Sequence, residues 1–112
     1  MIHKLPDQFV LQHVAEDLGI KTKAGVIALQ IAIENVLLLD SKQQDYGSKN
    51  ISSFGTFGVV VRMNDKFERI KHLFLNRRKR AVNESIRDSF RDICNYSIIA
   101  LMLEMKQWPD EL

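Results

Sequence analysis

The sequence predicts an all-α protein, a single four-helix-bundle-like domain over residues 1–112, and three observations carry that reading. Only five glycines and two prolines interrupt the 112 residues, which leaves long stretches free of backbone breakers. Apolar residues recur at helical spacing in four segments, and β-branched alternation over a strand's length is scarce. A content of 46% apolar and 27% charged residues describes an ordinary globular chain that can bury a core without disulfides or a structural metal.

The first helix opens at Pro6-Asp7, where aspartate caps and proline is tolerated, and ends at Gly19. Phe9, Val10, Val14 and Leu18 form its expected core stripe. A second helix runs from Thr22 to about Asp45 and is apolar on nearly every side, which predicts a central helix or one covered by a partner chain. The stretch "YGSKNISSFGTFG", residues 46–58, breaks the periodicity and reads as the one sizeable loop, the kind of segment where binding groups concentrate. The third helix covers about Phe57 to Asn76, with Val59, Val60, Met63, Phe67, Ile70 and Phe74 on one face. "RRKR", Arg77 to Arg80, reads as a solvated basic connection rather than a phosphate grip. Asn83 is the expected N-cap of the fourth helix, with a core stripe of Ile86, Phe90, Ile93, Ser97, Ala100 and Leu101.

Several chemistries lack support. The net charge of +2 does not by itself argue for nucleic-acid binding, although direct contact with nucleic acid stays open. One cysteine, Cys94, forms no internal bridge and sits in an apolar-periodic segment, which predicts a buried thiol in a reducing, cytoplasmic setting. "SIIALML" is far short of the roughly 20 residues of a membrane span, and no N-terminal apolar run has signal-peptide length, so the expectation is neither export nor insertion. His3, His13 and His72 lack zinc spacing. No glycine-rich phosphate loop, nucleophile elbow or Cys-His pair appears.

Two charged stripes remain. On the fourth helix Glu84, Asp88, Asp92 and Asn95 share a narrow sector opposite the core stripe. That sector turns apolar at Ile99 and Met102, so it is expected to be covered, with its acids at the edge of the contact. Acids in a first turn complement the helix dipole, which accounts for Glu84 alone. The third helix carries Arg62, Asp65, Lys66 and Arg69 beside its apolar face. Against the acids these residues make either a ladder of ion pairs or a polar pocket. Arginine suits phosphate as well as carboxylate, and carboxylates hold Mg²⁺, so Glu84, Asp88 and Asp92 are the candidate metal ligands.

The fragments "DYG" at 45–47, "FG" at 54–55, "VVVRMNDKFERIKHL" at 59–73 and "ESIRDSFRDICNY" at 84–96, taken in order, resemble the nucleotide modification associated domain 1 family of phages and bacteria. The likeness covers about residues 34–105. It implies a small helical protein linked to nucleotide or nucleic-acid modification. The matching polar positions are Asp45, Tyr46, Gly47, Arg62, Asp65, Lys66, Arg69, Glu84, Asp88, Asp92, Asn95 and Tyr96. A more distant similarity is to MazG-type all-α nucleoside triphosphate pyrophosphatases, whose E-x-x-E and E-x-x-D ligand pairs are not reproduced here.

The leading expectation is a nucleotide-binding helical module of phage origin, taking a nucleotide or cyclic nucleotide. Arg62, Lys66 and Arg69 would meet phosphate, the "DYG" loop would close the site, and Asp88 and Asp92 would orient the cations or bind base and ribose. The alternatives are a Mg²⁺-dependent pyrophosphatase, a protein sequestering a host signalling nucleotide, and an ion-pair ladder stabilising a helical oligomer. Self-association, with a dimer as the simplest case, is expected because so much apolar surface lies on the second and fourth helices.

Overall fold

The computed structural model describes residues 5–76 and 85–111. Every regular element among them is helical: α1 (Gln8–Asp17), α2 (Lys23–Tyr46), α3 (Lys49–Ser52), α4 (Gly55–Leu75) and α5 (Ile86–Glu104). The chain divides into two compact units, Met1–Lys42 and Gln43–Leu112, with the division falling inside α2.

In the first unit the helix ends follow the sequence signals. Asp7 caps α1 by accepting from the Val10 N–H at 2.8 Å. At the other end Gly19 takes φ +77°, and the N–H groups of Gly19 and Ile20 reach back to the carbonyls of Glu16 and Ala15, each at 2.9 Å. This pair of bonds is a Schellman stop, satisfying carbonyls that the ended helix would otherwise orphan. Thr22 Oγ1 then accepts from the Gly25 N–H at 3.0 Å and starts α2. Gln8 Nε2 donates to Gln30 Oε1 at 3.4 Å, tying α1 to α2.

The expected packing of these two helices needs correction. Leu11 and Ala15 are the buried residues of α1, whereas Phe9, Val10, Val14 and Leu18 are exposed. Apolar residues occupy more than one face of this short helix, and their spacing alone does not rank the faces. The central-helix expectation for α2 also fails, since its buried residue is Asn35, while Ile27, Ile31 and Val36 are exposed. By length and composition α2, rather than "SIIALML", is the segment long and apolar enough to cross a membrane. It carries Glu34 and Asp40, which would be costly in a bilayer interior.

The second unit begins with the last turn of α2. Gly47, at φ +74°, donates its N–H to the Gln43 carbonyl at 2.8 Å. "DYG" is therefore the C-terminus of a helix and its left-handed stop. The segment expected as a loop holds α3 and the first turn of α4 instead. Ser48 anchors this corner. It is buried, its hydroxyl accepts from Gln43 Nε2 at 2.9 Å, and its carbonyl accepts from the Trp108 indole N–H at 2.7 Å.

The α4–α5 pair forms the body of the unit. Contacts from Lys66 to Asp92 and from Arg69 to Ser89 and Ser85 run in opposite sequence directions, so the two helices are antiparallel. Helix α5 starts later than expected. Ser85, not Asn83, is its N-cap, accepting from the Asp88 N–H at 3.2 Å, while Asp88 Oδ2 accepts from the Ser85 N–H at 3.2 Å. This is a capping box built with aspartate at the third position. Asn83, Glu84 and the Arg77–Arg80 run lie outside the described residues.

The sector of α5 expected to be covered is indeed the buried one, through Asp92, Asn95 and Ile99, joined by Ser89. The stripe assigned to the core is the more open side, with Phe90 51% and Leu101 61% exposed. Cys94 is likewise exposed rather than buried. Hydrophobic spacing identified the segment as a helix but assigned its core to the more open side, whereas the polar Ser89, Asp92 and Asn95 lie on the buried one. On α4 the buried residues are Val59 and Ile70, whereas Val60, Phe67 and Phe74 are exposed.

The glycine stop gives a direct check. Gly47→Ala forces a Cβ into left-handed backbone and should lower stability by about 1 kcal/mol, read as a shift in the denaturant midpoint with unchanged slope.

Candidate functional site

Helix α4 presents Arg62, Lys66 and Arg69 to its neighbours from successive turns of one face. All three are partly buried. Their spacing of four and three residues places the charged ends in a row, and each meets a different polar partner.

Lys66 Nζ lies 2.9 Å from Asp92 Oδ2, with the two side chains 22% and 10% exposed. This is the centre of the seam. Arg69 Nη1 donates to Ser89 Oγ at 2.6 Å and to the Ser85 carbonyl at 3.2 Å. One guanidinium thus links the middle of α4 to the capped start of α5. Arg62 turns to the other side, where Nη2 donates to Asn50 Oδ1 of α3 at 3.2 Å.

Asp88 has two jobs within its own helix. It completes the capping box, and its Oδ1 accepts from Arg91 Nη1 at 3.1 Å. Hydrogen bonding from Ser85, side chain first and backbone second, with Arg91 adding its charge, holds the Asp88 carboxyl below its ordinary value of 3.8. Asp88 is therefore the acid that the helix start explains, and the acid left for the seam is Asp92.

The remaining expected positions separate into two groups. Asn95 is buried and Tyr96 half-buried on α5, in continuation of the seam. Asp45 and Tyr46 are exposed in the last turn of α2, and Asp65 is exposed on α4, so none of these three joins the Lys66–Asp92 contact. Gly47 serves as a helix stop. Of the candidate metal set only Asp88 and Asp92 lie among the described residues. Glu84 is not described, Asp88 and Asp92 are engaged as above, and among the described residues no three His, Cys, Asp or Glu side chains gather.

Three functional neighbours escaped sequence reasoning: Asn50, Ser85 and Ser89. The pattern "SIRD" at 85–88 is a capping-box signal that identifies Ser85. Ser89 is recognisable only once the buried sector of α5 is known, as a small hydroxyl on its edge. Asn50 carries no local signal, because its role depends on where α3 places it beside α4.

Fold and site together define a class: a small all-helical unit in which two antiparallel helices close through a seam of cations and polar groups, with a short helix anchored at one end. The chain belongs to the nucleotide modification associated domain 1 family, whose sequence profile matches residues 42–103, 62 of the 112. The match begins within a residue of the second compact unit, at Gln43. Comparison with curated proteins and with solved structures gives no match.

Two outcomes are expected of the seam. Lys66→Met or Asp92→Asn alone should destabilise by about 2 kcal/mol, less than a fully buried pair because the ammonium is partly solvated. The double variant should recover part of that loss, giving a coupling term in a double-mutant cycle of denaturant melts. For Asp88, the lowered pKa adds stability that is present above the unfolded carboxylate value and is lost as pH falls through the folded value. Thermal melts from pH 6 to pH 3 should therefore fall less steeply for Asp88→Asn than for the wild type.

Proposed function

We propose that the second unit binds the phosphate of a nucleotide, with Arg62 as the first contact. The observation that carries this reading is the setting of Arg62. It is half-buried at the α3–α4 corner, held by the neutral amide of Asn50, and pairs with no carboxylate among the described residues. A guanidinium fixed by a neutral acceptor keeps its full charge for a planar, bidentate oxyanion.

Lys66 and Arg69 continue the same face, one and two turns further along, and add positive potential behind Arg62. Asp92 holds Lys66 in position, the orienting role expected for that acid. Tyr46 and Phe54, which flank α3 in sequence, are exposed and offer ring faces to a base. The family's description supports an association with nucleotide modification. Binding, rather than hydrolysis, is the reading favoured here, because Asp88 and Asp92 are both occupied in holding the helices.

A second reading has its own support. The short, mostly buried Lys66–Asp92 contact is what a seam that only fastens α4 to α5 would use. The two readings differ at Arg62, which contributes little to that fastening.

Melting the protein against a panel of nucleoside mono-, di- and triphosphates and cyclic nucleotides separates them. Binding raises the melting temperature as ligand is added, with roughly 2.7 kcal/mol of stabilisation at a hundredfold excess over Kd. Arg62→Gln should remove the ligand response and leave the unliganded melt within a degree or two. No shift with any nucleotide at millimolar concentration would leave the fastening role alone.

A further inference from the structure

After α5 the chain turns back, and the turn is held in a strained form. Met105 caps the helix, and Lys106 then takes φ +58°, a left-handed conformation that glycine normally supplies. The Lys106 N–H reaches the Leu103 carbonyl at 3.1 Å and the Gln107 N–H reaches that of Met102 at 2.8 Å. These are the two bonds of a Schellman stop, built here on a lysine. Pro109 follows and favours extended backbone at Trp108. A left-handed residue with a side chain persists where its surroundings hold it. The hold lies just beyond: the half-buried Trp108 donates its indole N–H to the Ser48 carbonyl at 2.7 Å.

The length of α3 gives that bond its consequence. A single turn, Lys49–Ser52, is too short to stand alone, because nucleating a helix costs more than one turn returns. No side chain caps it, and the Ser48 hydroxyl accepts from Gln43 instead. Two contacts hold the turn. At its start the Ser48 carbonyl accepts from the Trp108 indole and, at 3.0 Å, from the Ser52 hydroxyl. On its flank Asn50 Oδ1 accepts from Arg62 Nη2 at 3.2 Å. Contacts that order the same turn reinforce one another, since whichever forms second finds the ordering cost already met.

We infer that the turn from Lys106 to Trp108 is a strap: it orders α3, which fixes Asn50 and through it the Arg62 guanidinium. Trp108 is thus a positioning residue for Arg62, acting from 46 positions away in sequence. Its effect on phosphate affinity rests on the reading of Arg62 given above, whereas the positioning of Arg62 does not.

Hydrogen exchange and side-chain NMR of the whole chain, free of ligand, test it. Trp108→Phe removes the indole donor and keeps a ring; it should speed exchange of the α3 amides roughly tenfold while amides around Asp92 stay within about twofold. The Arg62 Nε–H signal should shift or broaden in the same variant. Lys106→Gly relieves the left-handed strain and should slow α3 exchange about threefold, which keeps the test decisive if Trp108→Phe unfolds the chain. Equal acceleration in α3 and α5 overturns the inference, as does an α3 that neither variant affects, or an Arg62 signal unchanged while α3 loosens. Inorganic phosphate titrated into the same samples should move the wild-type Arg62 signal, with a dissociation constant raised about threefold by Trp108→Phe, similarly by Asn50→Ala, and no further by the two together. Equal phosphate affinity in the wild type and Trp108→Phe overturns the strap. A wild-type Arg62 signal that phosphate leaves in place overturns the phosphate reading alone, because exchange and the Arg62 signal judge the strap without ligand.

Discussion

The Lys66–Asp92 contact is the constraint on which the second unit depends. A lysine and an aspartate drawn largely out of water are costly to bury, and the cost is offset only when each finds the other in good geometry. That requirement sets the register of α4 against α5, because sliding α5 by one turn would put Asn95 or Tyr96 opposite Lys66 in one direction, and in the other Ser89 or Asp88, the latter already engaged in the capping box. Arg69 then falls opposite Ser89 and the capped end of α5, and Arg62 falls beyond the seam, toward α3. An apolar contact between the same helices would tolerate several registers. The polar one specifies a single arrangement.

The same choice accounts for the distribution of apolar residues. By giving their facing sectors to Arg62, Lys66, Arg69, Ser89, Asp92 and Asn95, α4 and α5 leave Phe67, Phe74, Phe90 and Leu101 without a place between them. Among the described residues, the buried apolar side chains of the unit are Val59, Ile70 and Ile99. A domain with so small a core depends on its caps and stops to a greater degree than most. The capping box at Ser85, the left-handed turn at Gly47 and the carbonyl of Ser48 each secure one end of a helix that packing alone would hold weakly.

Much of this was legible in the sequence. Helix boundaries at Asp7, Gly19 and near Thr22 follow from local sequence signals, and the structure has a cap or stop at each. The prediction that the Asp92–Asn95 sector is covered came from its turning apolar at Ile99, and it holds. What pattern reasoning could not supply was the ranking of competing faces. On α1, α4 and α5 more than one apolar stripe exists, and the choice between them is made by partners distant in sequence. Asp88 shows the same limit at short range: placed two residues further into the helix by an assumed cap at Asn83, it looked like a seam acid, whereas Ser85 makes it part of the helix start. The family likeness held over residues 42–103, where these seam residues lie.

The bond from Trp108 to Ser48 spans 60 residues of sequence, and the chain has only one tryptophan. Its indole is held at the corner where α2 ends and α3 begins, at Ser48, two residues before Asn50, the partner of Arg62. The protein therefore contains a built-in optical probe: its ultraviolet emission reports from one place, the junction that must be in order for the helical pair to be anchored. Because that contact joins residues 60 apart in sequence, the loop-closure entropy against it exceeds that of the local helical contacts, and it is expected to form late in refolding.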